Sequence, residues 1–152
     1  MHLTASRLAL AWAALVAGVA PVAAKTAQPV DPLDRCNVVW DSPSRNSSGS
    51  MPIGNGDIGM NVWVEENGDL LLLISRTDAW CENGRILKVG RVRVTLSPSP
   101  FAKSQTFRQE LKLRDGMIEV TGGKGDSATV AKIWVDANRP VIHVECDSPQ
   151  PF

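Results

Sequence analysis

An all-β fold, an antiparallel β-sandwich, is what this sequence predicts, on three observations. Apolar residues recur at every second position in several short runs, turn residues separate those runs, and no stretch has helical periodicity. A period of two sends successive side chains to opposite faces, the pattern of a strand with one face on a core and one in water. Seven or so such strands at close spacing point to two packed sheets.

The chain begins with a segment of a different kind. Arg7 precedes an apolar run over residues 8–19, and Pro21, Val22, Ala23 and Ala24 stand ahead of Lys25. A charged n-region, an apolar h-region and a small-residue cleavage site are the parts of a secretory signal, with cleavage expected between Ala24 and Lys25. A retained anchor is the alternative, but a spanning helix needs about 20 apolar residues, and Pro21 interrupts this run. The expected location is therefore secreted or periplasmic, with no membrane contact after cleavage. The organisation that follows is a signal peptide over 1–24, an extended leader over 25–35, rich in Pro, Thr, Gln and Asp, and a sandwich over 36–152. Removing 24 of 152 residues leaves 128, enough for one domain with a core and too few for two.

Within the sandwich region a Ser-rich loop over 42–50 comes first; its Asn46-Ser47-Ser48 matches the N-glycosylation sequon, a common pattern. Ile58, Met60, Val62 and Val64 then alternate with Gly59, Asn61 and Trp63, and Asn67-Gly68 predicts a tight type I′ turn. Residues 70–74 are apolar on both faces, as in a strand covered on both sides. Val92, Val94 and Leu96 alternate with Arg91, Arg93 and Thr95, and Phe107, Leu111 and Leu113 with Arg108, Glu110, Lys112 and Arg114; each run predicts a strand with one wet face. Asp115-Gly116 predicts a second hairpin turn into a strand over 117–120, residues 122–126 another turn, and residues 129–135 and 141–146 the last strands.

Composition excludes several functions. With 16 basic and 16 acidic residues, of which the signal removes only Arg7, the mature part is near neutral, so nucleic acid is not an expected partner. Cys36, Cys81 and Cys146 match no paired-ligand zinc spacing, and no metal or cofactor is expected. One disulfide in any of three pairings, or three unbridged thiols, stay open. Gly54-Asn55-Gly56-Asp57-Ile58-Gly59 spells G-x-G-x-x-G, but a dinucleotide fingerprint needs a helix leaving the glycines, and here a β-alternating run follows. These glycines instead suit a tight backbone path into a strand. The mature part holds one histidine, His143, on a predicted strand, so no hydrolytic triad assembles and a structural role is expected for it. Of the mature tryptophans, Trp63 and Trp134 fall inside strands as expected core, whereas Trp40 and Trp80 border loops, where an indole can stack on a sugar ring.

Trp40, Pro43, M-P-I-G-N-G-D-I-G-M over 51–60, L-L-L-I-S-R-T-D-A-W over 71–80 and F-R-Q-E-L-K-L-R-D-G over 107–116 together resemble the N-terminal sandwich domain of glycoside hydrolases related to family 95 fucosidases. They are closer still to an uncharacterised secreted, DUF5703-like relative. The resemblance spans most of residues 36–145, and its P-x-G-N-G segment is the specific part. It implies a super-sandwich-like, non-catalytic domain that packs on a helical (α/α)₆ barrel carrying the catalytic carboxylates, with a glycan or polysaccharide as the partner of the assembly. Ser75, Arg76 and Thr77 replace the Asn-Glu-Asp of the fucosidases, a departure from a fucose site. The implied substrate-binding residues are Gly54, Asn55, Gly56, Asp57, Asp78 and Trp80. No catalytic residue is expected in this chain, which reads as the N-terminal part of a larger protein; a free-standing carbohydrate-binding or adhesive sandwich is the alternative.

Overall fold

The computed structural model describes residues 31–102 and 106–151. The signal-peptide reading and most of the leader lie outside them. Nine strands form two antiparallel sheets: β1 (Val38–Trp40), β2 (Met51–Gly54), β3 (Ile58–Val64), β4 (Leu70–Trp80), β5 (Ile86–Val94), β6 (Phe107–Lys112), β7 (Met117–Gly122), β8 (Thr129–Val135) and β9 (Ile142–Asp147). The order β2-β3-β4-β5 makes one sheet and β1-β6-β7-β8-β9 the other. The sandwich is therefore as the alternation predicts, and only short 3₁₀ turns, no α-helix, accompany the strands among the described residues. No helix there is long and apolar enough to cross a membrane.

The core lies between the sheets. Met60, Val62 and Val64 of β3 and Leu70 and Leu72 of β4 face Ile118 and Val120 of β7 and Ala131 and Ile133 of β8, all nearly without solvent contact. Gln109 is the polar member of this interior. It is 1% exposed, and its amide donates to the Val62 carbonyl of the opposite sheet at 3.3 Å, which satisfies a group that would be costly to bury bare. On the other face of the four-stranded sheet Trp63 and Leu71 are paired directly and also buried, with the Ser47–Gly49 turn against β3. Leu70, Leu71 and Leu72 are thus covered on both faces, as their unbroken apolar run predicts.

Several details differ from the sequence reading. The end of the leader is not extended: Pro32–Cys36 forms a 3₁₀ turn capped by Asp31, whose side chain accepts from the Leu33 amide at 2.8 Å, and Arg114 pairs with Asp31 and Asp34 to tie this turn to the β6–β7 hairpin. Asn67-Gly68 is not a type I′ turn, because Gly68 has φ +87° while no residue other than glycine has positive φ. The Gly68 amide donates to the Glu65 carbonyl at 2.8 Å and Glu65 to Asp69 at 2.9 Å, the three-residue loop with a left-handed glycine at its end. Leu113 lies in the β6–β7 turn and is exposed. Trp134 is not core: it stands on the outer face of β8, stacked on His143 at 4.7 Å between ring centroids and 8° between planes. β5 starts earlier than the alternation predicts and is wet on both faces, Val92 included.

Candidate functional site

β2 ends at Gly54, where the chain must turn sharply to return as β3. A Cβ on Gly54 would stand 2.6 Å from the Ile58 carbonyl oxygen, and Gly56 has φ +95°, so both positions require glycine. Asn55 holds the turn together. Its side-chain oxygen accepts from the amides of Asp57 (3.0 Å) and Ile58 (2.9 Å), while its NH₂ donates to the carbonyls of Asp136 (2.8 Å) and Arg139 (3.1 Å). Those carbonyls belong to the turn between β8 and β9, so Asn55 clamps the glycine loop of one sheet to a turn of the other. That turn is itself fixed by Asp136, which accepts from the Arg139 guanidinium and from the amides of Asn138 and Arg139. The guanidinium first, and then the Asn138 amide, hold its carboxyl down to about 2.

On the other side the loop meets β4 where its pairing slips, between Ser75 and Trp80. Thr77 is the joint. Its hydroxyl donates to the carbonyls of Gly56 and Asp57, and its amide donates to Asp57 at 3.0 Å. Its own carbonyl accepts the indole N–H of Trp80 at 2.6 Å. Arg76 lies between two carboxylates, 3.1 Å from Asp57 and 3.2 Å from Asp78. Asp57 first, and then Asp78, raise the pKa of the guanidinium. Trp80, 55% exposed, presents an indole to water.

Gly54, Gly56, Gly59, Arg76, Thr77 and Ile86 line a shallow cleft of ≈220 Å³ here, continuous through Gly54, Gly59, Ser75 and Ile86 with a wider one along Pro52, Ile53 and Asn61. A hollow of ≈280 Å³ between Pro98 and Pro151 is lined by Pro, Gly, Ser, Thr and Gln and has no charged side chain, so it offers less to a specific ligand.

The structure thus joins Gly56, Asp57, Asp78 and Trp80 in one network through Arg76 and Thr77, sets Gly54 on the wall of the adjoining cleft, and gives Asn55 a different part. All four hydrogen-bonding positions of the Asn55 amide are committed to backbone, so its contribution is to shape the loop. Arg76 and Thr77 stand in the sequence only as a departure from the fucosidase motif and were not among the expected binding residues; the structure makes them the joint of the cluster. Chemically the cluster suits recognition. Asp57 and Asp78 are open to water at 43% and 69% and share one guanidinium, whereas a glycosidic acid needs a shielded carboxyl set opposite a second one across the scissile bond. Among the described residues no group of three His, Cys, Asp or Glu could hold a metal ion, and Cys36, Cys81 and Cys146 are free thiols.

No curated protein and no solved structure matches the chain. Residues 39–152 match the model of a family described as a domain of unknown function, DUF5703, in its N-terminal part. With three quarters of its length in that match, including the glycine loop, Arg76–Trp80 and all strands but the start of β1, the chain belongs to the DUF5703 N-terminal domain family.

Proposed function

We propose that this domain is the non-catalytic N-terminal sandwich of a secreted glycan-processing protein related to family 95 glycoside hydrolases, and that its glycine loop and the Arg76–Trp80 segment border a glycan site completed by a helical barrel. The observation that carries the reading is the exposed Trp80 indole held by Thr77 beside the Asp57–Arg76–Asp78 cluster and an open cleft. An indole face packs on the C–H face of a sugar ring, and a guanidinium flanked by carboxylates offers donors and acceptors to ring hydroxyls. Both acids are exposed and already paired, which favours binding over hydrolysis by this domain alone.

Affinity electrophoresis of the chain through gels containing soluble polysaccharides tests it. A retained band is expected for at least one polysaccharide, with retention weakened about tenfold by Trp80→Ala, the loss of one stacking contact. The circular dichroism of that variant should be unchanged. No turnover of aryl glycosides is expected; turnover abolished by changing a single Asp or Glu would refute the non-catalytic reading, and equal retention of Trp80→Ala would refute the site.

A further inference from the structure

β5 closes the four-stranded order and β9 the five-stranded one. A small apolar hollow of ≈20 Å³, lined by Leu70, Val94, Leu96, Ala131, Val144 and Cys146 with the buried Phe101 packed against them, lies between the two strands, so among the described residues both edges border the same gap of the sandwich. Inward-facing side chains stand in water along it. Val92 is paired with Leu72, which is 1% exposed, yet is itself 43% exposed; Val144 is paired with Ile133 at 0% and is 40% exposed. Residues that share a face with the core are buried where a sandwich is closed, and here they are not. Farther along β5, Leu87 and Val89 are also exposed, at 47% and 61%.

The free side of β5 carries a second signal, charge. Arg91 and Lys88 lie opposite Leu73 and Ser75 on the outer face of the sheet, both exposed. Arg93 on the same face is taken by Glu65 and Asp69, but no ion pair among the described residues takes Lys88 or Arg91. An edge strand also presents unpaired backbone N–H and C=O groups. Lys88 and Arg91 are three residues apart, and the register shift between Ile74 and Ser75 brings both to the outer face opposite positions two apart on β4. Edge, apolar gap and these two cations together specify what fits: backbone, an apolar residue inward and an acid outward, repeated.

We propose that β5 is a docking edge for a strand of another polypeptide, an extended segment in which apolar residues alternate with acidic ones. Its apolar side chains cover Val92 and the opening, and its carboxylates lie beside Lys88 and Arg91. In strand addition the main chain supplies affinity and alternate side chains supply selection. A second copy joined β5 to β5 is disfavoured because Lys88 and Arg91 of both chains would crowd one another. The inference rests on the open edge alone and stands or falls apart from the glycan reading.

Fluorescence anisotropy with the full chain tests it, using a labelled ten-residue peptide of alternating Val and Glu and a control with Lys for Glu, each below its own self-association concentration. The Glu peptide should bind at least about tenfold more tightly than the Lys peptide, an electrostatic selection, and should protect β5 amides from hydrogen exchange. Lys88→Glu with Arg91→Glu should reverse the preference; both side chains are exposed, so an unchanged circular dichroism spectrum is expected of that variant. Equal binding of both peptides, binding of neither, or a preference that survives the reversal would overturn the proposal. So would a dimer in sedimentation that excludes the peptide, which would make the β9 edge of a second copy the occupant.

Discussion

Glu-Asn-Gly occurs at both ends of β4, as Glu66-Asn67-Gly68 before it and Glu82-Asn83-Gly84 after it, and the two turns carry the same backbone hydrogen bonds in opposite surroundings. Gly68 donates to Glu65 and Glu65 to Asp69; Gly84 donates to Cys81 and Cys81 to Arg85, all at 2.8–2.9 Å. Both glycines have positive φ, +87° and +71°. Around the first turn Leu70, Leu71 and Leu72 are buried, Asn67 and Arg93 hold Asp69, and Ser99 and Ala102 press on Gly68. Around the second, Trp80, Ile86, Leu87 and Val89 are exposed, and a Cβ on Gly84 would meet nothing within 4 Å. The same three residues make the same turn wherever the chain must reverse. What the turn is worth to the fold depends on what the rest of the chain lays against it.

Truncations in the two halves of the β4–β5 hairpin should break the symmetry most. Leu72→Ala removes a side chain 1% exposed and is expected to cost about 3 kcal/mol in urea unfolding. Val89→Ala, at a side chain 61% exposed, should stay within about 0.5 kcal/mol. A comparable loss at both would mean that the outer half of the hairpin is covered in solution.

Replacing the two glycines sharpens the comparison. Gly84→Ala incurs only the left-handed backbone penalty, about 1 kcal/mol. Gly68→Ala adds a Cβ 1.9 Å from the Ser99 hydroxyl oxygen and 2.7 Å from the Ala102 amide nitrogen, and the displacement of that backbone should raise the cost to about 3 kcal/mol. Equal thermal shifts for the two variants would show that residues 99–102 yield freely.

The smallest expected effect is one of acidity. Hydrogen bonding from Arg93, ahead of that from Thr95 and then Asn67, holds the Asp69 carboxyl below its ordinary value despite its burial. A depressed carboxyl pKa stabilises the folded state above the unfolded value, near 3.9, and the contribution is lost as pH falls through the lowered folded value. The corresponding position of the second turn is Arg85, which offers no carboxylate there. The side-chain carboxyl carbon shift of Asp69 itself should therefore move only as pH falls below about 4, and Arg93→Ala should bring that movement to higher pH.

Alternation made most of the sandwich legible in the sequence, because β3, β6, β7 and β8 each set one face on a core. It made the double burial at Leu70, Leu71 and Leu72 legible too. β1 and β2 were not legible: three and four residues long, one of them with Pro52, they carry too few positions to show a period. The outer half of β4 could not be told as strand because Ser75, Arg76, Thr77 and Asp78 are polar on both faces, as a ribbon standing off the core can be. Trp134 misled because size and strand position suggest burial, while its parity places it opposite Ile133 on the wet side. Of the site, the glycines, Asp57, Asp78 and Trp80 could be named from motif, but the work of Arg76 and Thr77 depends on a register slip in β4 that no local pattern announces.

The Asn55 clamp bears on how the cleft would meet a ligand. A loop of three glycines in six residues would, if free, sample many shapes, and a ligand would lose affinity in freezing one of them. Four hydrogen bonds from one amide, two of them to the opposite sheet, have already selected the shape before anything binds. The entropy of ordering the loop is thus charged to folding, so any ligand of this shallow, water-exposed cleft would meet one loop shape rather than many.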